Sequence, residues 1–421
     1  MATTVERFTH RNDEMYCEDV PVRDVVEAVG TPVYVYSLAR LRDAFRAFDQ
    51  AFAGTRHLVC FSVKANSNLA VLRAFVNEGS GFDIVSGGEL FRALKAGADP
   101  RKVVFSGVGK TRDEMEYALR SGILMFNVES EQELEALNEV AGSMGVVAPV
   151  SFRINPDVDP QTHPYISTGM KKSKFGIAID PAAAAYRRAI ALPHIEVVGV
   201  DCHIGSQLTS TSPFSDAAAR VRAFVEALRR EGADIRYVDL GGGLGIRYDD
   251  EQPPDPRDYA KALTEGIGDQ DVTLVLEPGR SMVGNAGILV TRVLYLKRAE
   301  AKNFVVVDGA MNDLIRPSLY GAFQGLLPVV RREAELMTAD VVGPICESGD
   351  FFAQDRQIQT PTPGDLLAVM SAGAYGFTMA SNYNTRPRAA EVLVDGKDFA
   401  VVRERETLEG LVAGEKIPVM L

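Results

Sequence analysis

Between residues 57 and 283 the chain alternates short runs of apolar, β-branched or aromatic residues with glycine or polar breaks and longer amphipathic segments. Eight runs follow one another: HLVCFSV (57–63), FDIVS (82–86), VVFSG (103–107), LMFNV (124–128), APVSFRI (148–154), VVGVDCHI (197–204), IRYVDL (235–240) and VTLVLE (272–277). Each has strand length and strand composition, whereas ELFRALKAG, EQELEALNEVAG and DAAARVRAFVEALRREG between them repeat apolar residues at the spacing of one helix face. Strands alternating with helices over roughly 230 residues predict a (β/α)8 barrel, for which about 250 residues is typical; a doubly wound open sheet is the alternative. Closure is favoured by the polar residues. Lys64, Asp83, Ser106, Asn127, Arg153, His203, Gly241 to Gly243 and Glu277 all fall at the C-terminal ends of their runs, and in a barrel those ends converge on one mouth.

After Asn285 the pattern changes to strand-like runs with no long helices between them: GILVTRVLYLKR, NFVVVDG, DVVGPIC, DLLAVM, AEVLVDG and FAVVRERE. This predicts a mainly β C-terminal domain over residues 284–421, following a barrel over 37–283. Residues 1–36 form an N-terminal segment, expected to join the β domain in part through the strand-like TPVYVYS.

Composition narrows the function classes. A formal net charge of -12 offers no concentrated positive field for a nucleic acid. No apolar run approaches the ~18 residues of a membrane span, and MATTVERFTHRNDEMY has no basic start followed by an apolar core, so a cytoplasmic protein is expected. Cys17, Cys60, Cys202 and Cys346 include no CxxC pair, and His10, His57, His163, His194 and His203 never recur at i, i+2 or i, i+4. Free thiols and no metal are the expectation.

Two glycine-rich stretches invite a nucleotide reading and fail it. In VDLGGGLG a dinucleotide fingerprint started at Gly241 needs glycine where Ile246 stands, and in SGVGKT a phosphate loop needs glycine where Val104 stands. What remains is a bare turn, Gly241, Gly242 and Gly243, that lets an anion approach the backbone. LEPGRS adds a carboxylate, Glu277, and a guanidinium, Arg280, at the same mouth; taken alone these read as an ion pair. With Lys64 in FSVKANSN the parts match pyridoxal 5'-phosphate. Its aldehyde condenses with a lysine amine, its phosphate suits a glycine turn, and its ring nitrogen takes an acidic partner. In HIGSQ, His203 offers a flat ring and Ser206 a hydroxyl.

FSVKANSN, GFDIVSGGEL, SFRINP, STGMKKSKFGI, HIGSQ, DLGGGLG, EPGR, NDLIRPSLY, PICESGD and SAGAYG, in this order from about residue 30 to residue 400, resemble the pyridoxal-phosphate decarboxylases of the alanine-racemase-like barrel fold, and among them the diaminopimelate decarboxylases. The resemblance implies that Lys64 carries the cofactor, that His203 lies against its ring and that Glu277 partners its nitrogen. It assigns the phosphate to Gly241, Gly242, Gly243, Ser206 and the backbone of Glu277, Pro278, Gly279 and Arg280, with Tyr375 nearby, and sets Asp83 and Arg153 close to the lysine. Racemases on the same fold carry an arginine at the nitrogen, so Glu277 points to the stronger electron sink. Phe61 replaces the family's usual tyrosine.

For the far end of the substrate, Arg280, Arg316 and Tyr320 suit a distal carboxylate and Glu347 a distal ammonium. A substrate carrying both is meso-2,6-diaminopimelate, and the implied products are L-lysine and carbon dioxide. The resemblance further implies that Cys346 protonates the product carbanion and reaches the cofactor from the neighbouring subunit of a homodimer, whose active sites then lie at the subunit interface. Two other readings stay open: a decarboxylase of this fold recruited to another or carrier-bound amino acid, and a non-catalytic regulatory relative.

Overall fold

The computed structural model describes residues 7–158 and 174–421; of the residues singled out above, His163 and positions 167–173 of STGMKKSKFGI lie outside them. The described residues divide into two compact units. One comprises residues 42–247 and 251–282, and the other comprises the residues up to Leu41, Tyr248–Asp250 and Val283–Leu421.

In the first unit each of the eight runs forms a strand: β1 (His57–Ser62), β2 (Gly81–Ile84), β3 (Val103–Phe105), β4 (Met125–Val128), β5 (Ala148–Asn155), β6 (Ile195–Asp201), β7 (Tyr237–Asp239) and β8 (Thr273–Leu276). Every strand pairs in parallel with the next, and β8 pairs with β1, so the sheet closes into a barrel. The helices begin where short polar side chains can satisfy unpaired backbone N–H groups. Ser86 and Ser130 accept from Glu89 N and Glu133 N at the starts of Gly87–Lys95 and Glu131–Met144. Thr111 and Glu114 form a reciprocal capping box on Arg112–Ser121, which stops at the left-handed Gly122.

Alternation along the strands explains why a packed barrel ends in a polar mouth. Cys60, Val104, Met125, Val198 and Val275 form a buried apolar cluster. Two residues beyond four of them stand Ser62, Ser106, Asn127 and Glu277, which are also buried. Side chains two apart in a strand share a face, so the face that packs apolar groups low in the barrel carries polar ones at its C-terminal end. Asp83, Ser151, Arg153, Asp201 and Asp239 complete this buried polar set.

The other unit is a mainly β structure. Its main sheet runs Phe351–Gln359, Leu336–Val342, Asn303–Val307, Gly287–Arg298, Val33–Ser37, Ala390–Asp395 and Asp398–Arg403, with Leu366–Val369 and Leu326–Pro328 branching from it. Val33–Ser37, the strand of TPVYVYS, lies antiparallel to Gly287–Arg298 and parallel to Ala390–Asp395. Val33, Val35, Ile288, Val290 and Val392 pack with Val22, Val25 and Val26 of the helix Val22–Val29. Each such valine contributes about 1.5 kcal/mol or more when fully buried, and a charge at Val25 would undo the face.

Candidate active site

Lys64 follows β1 in the short turn Val63–Ala65, and its Nζ donates to Asp83 Oδ2 at 2.5 Å. Ser62 Oγ donates to the same oxygen at 2.8 Å and also approaches the Glu277 carbonyl at 2.9 Å. Asp83 is thereby fixed on one side, while its buried Oδ1 has no hydrogen-bond partner. The flanking asparagines shape the chain around the lysine: Asn66 Oδ1 accepts from Asn68 N at 3.0 Å, and Asn68 Oδ1 accepts from Ala70 N at 2.9 Å to cap the helix Leu69–Asn77.

Glu277, just past β8, sits in a ring of strand-end groups. Ser106 Oγ donates to its Oε1 at 3.2 Å. Asn127 Nδ2 lies 3.4 Å from the same oxygen and 3.1 Å from Asp239 Oδ2, while Ser151 Oγ donates to Asn127 Oδ1 at 2.5 Å and so fixes which way the amide faces. The Glu277 and Asp239 carboxyls share a hydrogen bond. Burial, and then the charge of Asp201, pushes Asp239 up to about 7. Burial, followed by Asp239 and Asp83, holds Glu277 well above the usual carboxylate range. Asp201 is raised in the same way, by burial and then by Glu277. One proton shared among these groups relieves their repulsion.

The glycine turn meets this ring edge-on. Gly241 and Gly243 adopt φ of 64° and 105°, and a Cβ on Gly242 would stand 2.2 Å from the Glu277 carbonyl oxygen. Gly241 N donates to Asp239 Oδ1 at 2.9 Å, and Gly242 N to His203 Nδ1 at 3.2 Å. Nδ1 is therefore an acceptor, which leaves the imidazole neutral with its proton on Nε2. Its pKa is lowered well below the ordinary histidine value by burial and then by the charges of Arg153 and Lys64. Arg280 reaches Ser206 Oγ through Nη2 at 3.1 Å and Nε at 3.4 Å. A hydroxyl, a guanidinium and a backbone free of Cβ atoms meet there, which is anion-binding chemistry.

On the opposite side Arg153, buried at the end of β5, donates from Nη1 to Glu129 Oε1 at 3.2 Å, and its buried Nη2 has no hydrogen-bond partner. The site thus offers an amine, an acidic ring, a flat neutral imidazole, an anion cradle, and orphaned donor and acceptor atoms on Arg153 and Asp83. These fit pyridoxal phosphate: a cationic ring nitrogen suits the acidic ring, the phosphate suits the cradle, and the aldehyde suits Lys64.

Comparison with known proteins agrees with this chemistry. Residues 38–284 match the family model of the pyridoxal-dependent decarboxylases, pyridoxal binding domain. Over 98% of its length the chain is 59% identical to the diaminopimelate decarboxylase of Pseudomonas aeruginosa, of which the match covers 99%, and 55% identical to that of Vibrio cholerae, with coverage of 98% and 99%. The chain belongs to the diaminopimelate decarboxylase family. Members of known structure include the enzyme of M. jannaschii in complex with L-lysine (TM-score 0.95, 38% identity, 99% of both chains). The enzyme of Helicobacter pylori in complex with L-lysine gives a TM-score of 0.90 at 42% identity over 93% of this chain and 98% of that one. The expected fold, a cofactor-binding (β/α)8 barrel with a C-terminal mainly β domain, is borne out, and the cofactor of this decarboxylase family is pyridoxal 5'-phosphate.

Lys64, Asp83, Arg153, His203, Ser206, Gly241, Gly242, Gly243, Glu277, Pro278, Gly279 and Arg280 all belong to the barrel unit, whereas Arg316, Tyr320, Cys346, Glu347 and Tyr375 belong to the β unit. In the latter, the Arg316 guanidinium lies 5.6 Å from the Tyr320 ring centre and 5.2 Å from that of Tyr248. Ser318 Oγ, on the short helix Arg316–Tyr320, donates to Gly349 O at 2.5 Å and so ties that helix to the CESGD loop. Asp350 shapes the loop by accepting from Met311 N and Ile345 N, each at 2.7 Å, and Cys346 and Glu347 are exposed on it. Tyr375 has a positive φ of 55°, uncommon for a residue with a side chain. All four cysteines are free thiols. Among the described residues no group of three or more His, Cys, Asp or Glu could hold a metal ion, and no helix is long and apolar enough to cross a membrane.

Sequence reasoning placed Asn127 at the mouth without giving it a role, and passed over three buried groups there: Glu129, Asp201 and Asp239. Asp201 and Asp239 end strands β6 and β7 and stand two positions before His203 and Gly241, so alternation held a signal for them. Glu129 lies one residue beyond LMFNV and left none.

Proposed function

We propose that this chain decarboxylates meso-2,6-diaminopimelate to L-lysine and carbon dioxide with pyridoxal phosphate held in the barrel mouth. The observation that carries the reading is the hydrogen-bonded set of Lys64, Asp83, Asn127, Asp239 and Glu277 beside the Gly241–Gly243 turn. When bound, the cofactor supplies an electron sink for the pair left on Cα as carbon dioxide departs. Lys64 Nζ holds the aldehyde end, with Asp83 Oδ2 placed to take up or return its proton. Glu277 would partner the ring nitrogen and offset its positive charge, and His203, a neutral imidazole, would lie against the ring without adding charge. Gly241, Gly242, Gly243, Ser206 and the stretch Glu277, Pro278, Gly279 and Arg280 hold the phosphate, joined by Tyr375.

At the substrate end, Arg280, Arg316 and Tyr320 bind the distal carboxylate and Glu347 the distal ammonium. Ornithine and arginine have no distal carboxylate, so paired guanidinium groups disfavour their cationic tails. Cys346 Sγ gives Cα the proton that replaces carbon dioxide, from the second subunit of a cytoplasmic homodimer, with residues 37–283 and 284–421 acting as the cofactor and partner-facing domains. Carbon dioxide release from meso-diaminopimelate, ornithine, arginine and lysine, supplied separately to the pure protein with cofactor, tests the reading. Release from meso-diaminopimelate alone is expected, and preference for an amine lacking the distal carboxylate overturns it.

A further inference from the structure

The stretch SGVGKT does not match a nucleotide phosphate loop, and while Val108, Gly109 and Thr111 are exposed, its lysine side chain is committed to the interior of the barrel unit. Lys110 is buried, and its Nζ donates to Gly107 O, Asn127 O and Glu133 Oε1 at 2.8, 2.8 and 2.7 Å. Glu133 Oε2 in turn accepts from Glu129 N at 3.0 Å. The Glu129 side chain then divides its acceptor capacity among three separate parts of the chain. Its Oε1 takes Gly107 N at 3.1 Å and Arg153 Nη1 at 3.2 Å, and its Oε2 takes Gly176 N at 2.8 Å. Donors from the connection after β3, from strand β5 and from the chain that follows β5 therefore converge on one buried carboxylate. Burying it unpaired would be costly, and pairing it fully makes it a rigid joint.

Arg153 is the member of this joint that faces the site. Its guanidinium lies 4.7 Å from the centre of the Phe175 ring, and a Cβ on Gly176 would come within 2.8 Å of the Arg153 carbonyl oxygen, so the chain at 175–176 wraps closely around it. With Nη1 taken by Glu129, Nη2 is the buried donor left to meet a ligand.

We propose that Glu129 is a positioning residue of the cofactor site, which aims Arg153 Nη2 into the barrel mouth while clamping the connections at Gly107 and Gly176. Glu129 touches neither substrate nor cofactor and acts through Arg153. The inference rests on the assignment of pyridoxal phosphate to this mouth and adds a supporting row, Lys110, Glu133 and Glu129, behind it.

The test is a double-mutant cycle read by cofactor affinity, using absorbance titration of pyridoxal phosphate into apoprotein that melting shows to be folded. Glu129→Ala and Arg153→Met are each expected to weaken binding by about tenfold or more, the factor for one hydrogen bond to a charged group. The double variant is expected to bind no more weakly than Arg153→Met alone. Glu129→Gln, which keeps an acceptor oxygen, should recover part of the loss, whereas Glu129→Asp, one methylene short, should not. Losses that simply multiply, or a Glu129→Ala variant that melts lower but binds as wild type does, overturn the proposal and leave Glu129 a purely structural residue. Wild-type protein that fails to bind pyridoxal phosphate at all would instead overturn the cofactor assignment.

Discussion

Replacing Gly242 with alanine adds one methyl group where the barrel has no room for it. The new carbon would stand 2.2 Å from the Glu277 carbonyl oxygen and 3.0 Å from its carbonyl carbon. Non-bonded heavy atoms pack at about 3.5 Å, so the Glu277 backbone must withdraw by roughly 1 Å. It is held in place, because Glu277 N donates to Gly241 O at 2.7 Å and Ser62 N donates to the next carbonyl, Pro278 O, at 3.1 Å. Overpacking of this kind costs about 1–3 kcal/mol. Relief means moving Glu277 away from the glycine turn, the two ends of the proposed cofactor site, so the cost should fall on binding as well as on folding. It corresponds to a dissociation constant for pyridoxal phosphate raised by about 5- to 150-fold. Gly109→Ala is the control, since a Cβ there meets nothing within 4 Å. Absorbance titration of both apoproteins, with thermal melting alongside, reads the outcome. If Gly242→Ala binds and melts like Gly109→Ala, the close approach of turn and carboxylate does not matter to the site.

Lys64→Ala should abolish the visible absorbance of covalently held cofactor and with it decarboxylation; an unchanged spectrum removes the lysine from its role. Lys110→Met leaves Glu133 and two carbonyls without their donor in a buried setting, which costs about 3–5 kcal/mol and should lower the melting temperature by roughly 10 °C; a shift of only a degree or two would mean the ion pair is dispensable. With Asp239 raised to about 7, the folded apoprotein keeps a proton that the unfolded chain has lost above about pH 4, so this group makes stability fall as pH rises from about 4 to about 7. Asp239→Asn should flatten that fall in urea unfolding across the window, and an undiminished slope counts against the shared-proton picture. Mixing inactive Lys64→Ala with inactive Cys346→Ala should restore up to about a quarter of wild-type activity if each site takes its lysine from one subunit and its cysteine from the other; no recovery in mixtures that exchange subunits argues against the shared site.

The barrel was legible because strand identity was written locally. LMFNV and VTLVLE are too short and too rich in strand-forming residues to be helices, and DAAARVRAFVEALRREG is too long and too regular in its helical period to be a strand. Closure was legible only indirectly, from the polar ends of the runs. The hydrogen bonds that close it, β8 to β1, join residues more than two hundred positions apart. Asn66 and Asn68 are turn and cap residues that shape the chain immediately after the lysine. Glu129 and Lys110 were illegible for a related reason. Each looks in isolation like a solvated charge, and each is buried because most of its partners arrive from other strands, helices and turns. SGVGKT is the sharpest case. Its motif likeness concerned phosphate, whereas its lysine turns inward to a carboxylate.

The balance of charge in the mouth explains why so many acids can be buried together. Lys64 and Arg153 face Asp83, Asp201, Asp239 and Glu277, all four carboxyls being buried. Two cations do not offset four carboxylates at short range, so the apoprotein must retain protons on the cluster, as the raised pKa of three of its members indicates. Such a cluster favours a ligand that brings positive charge to Glu277 and negative charge to the turn at Gly241–Gly243, Ser206 and Arg280. Inorganic phosphate satisfies only the second demand. A neutral aromatic ring satisfies neither, and leaves the shared proton where it was. A protonated pyridine carrying a phosphate satisfies both, and Asp239, bonded at once to Asn127 and to Gly241 N, links the two ends through one side chain. Selection of the protonated ring, the state in which an electron sink works, is then a consequence of excess acid in the mouth and not of Glu277 alone.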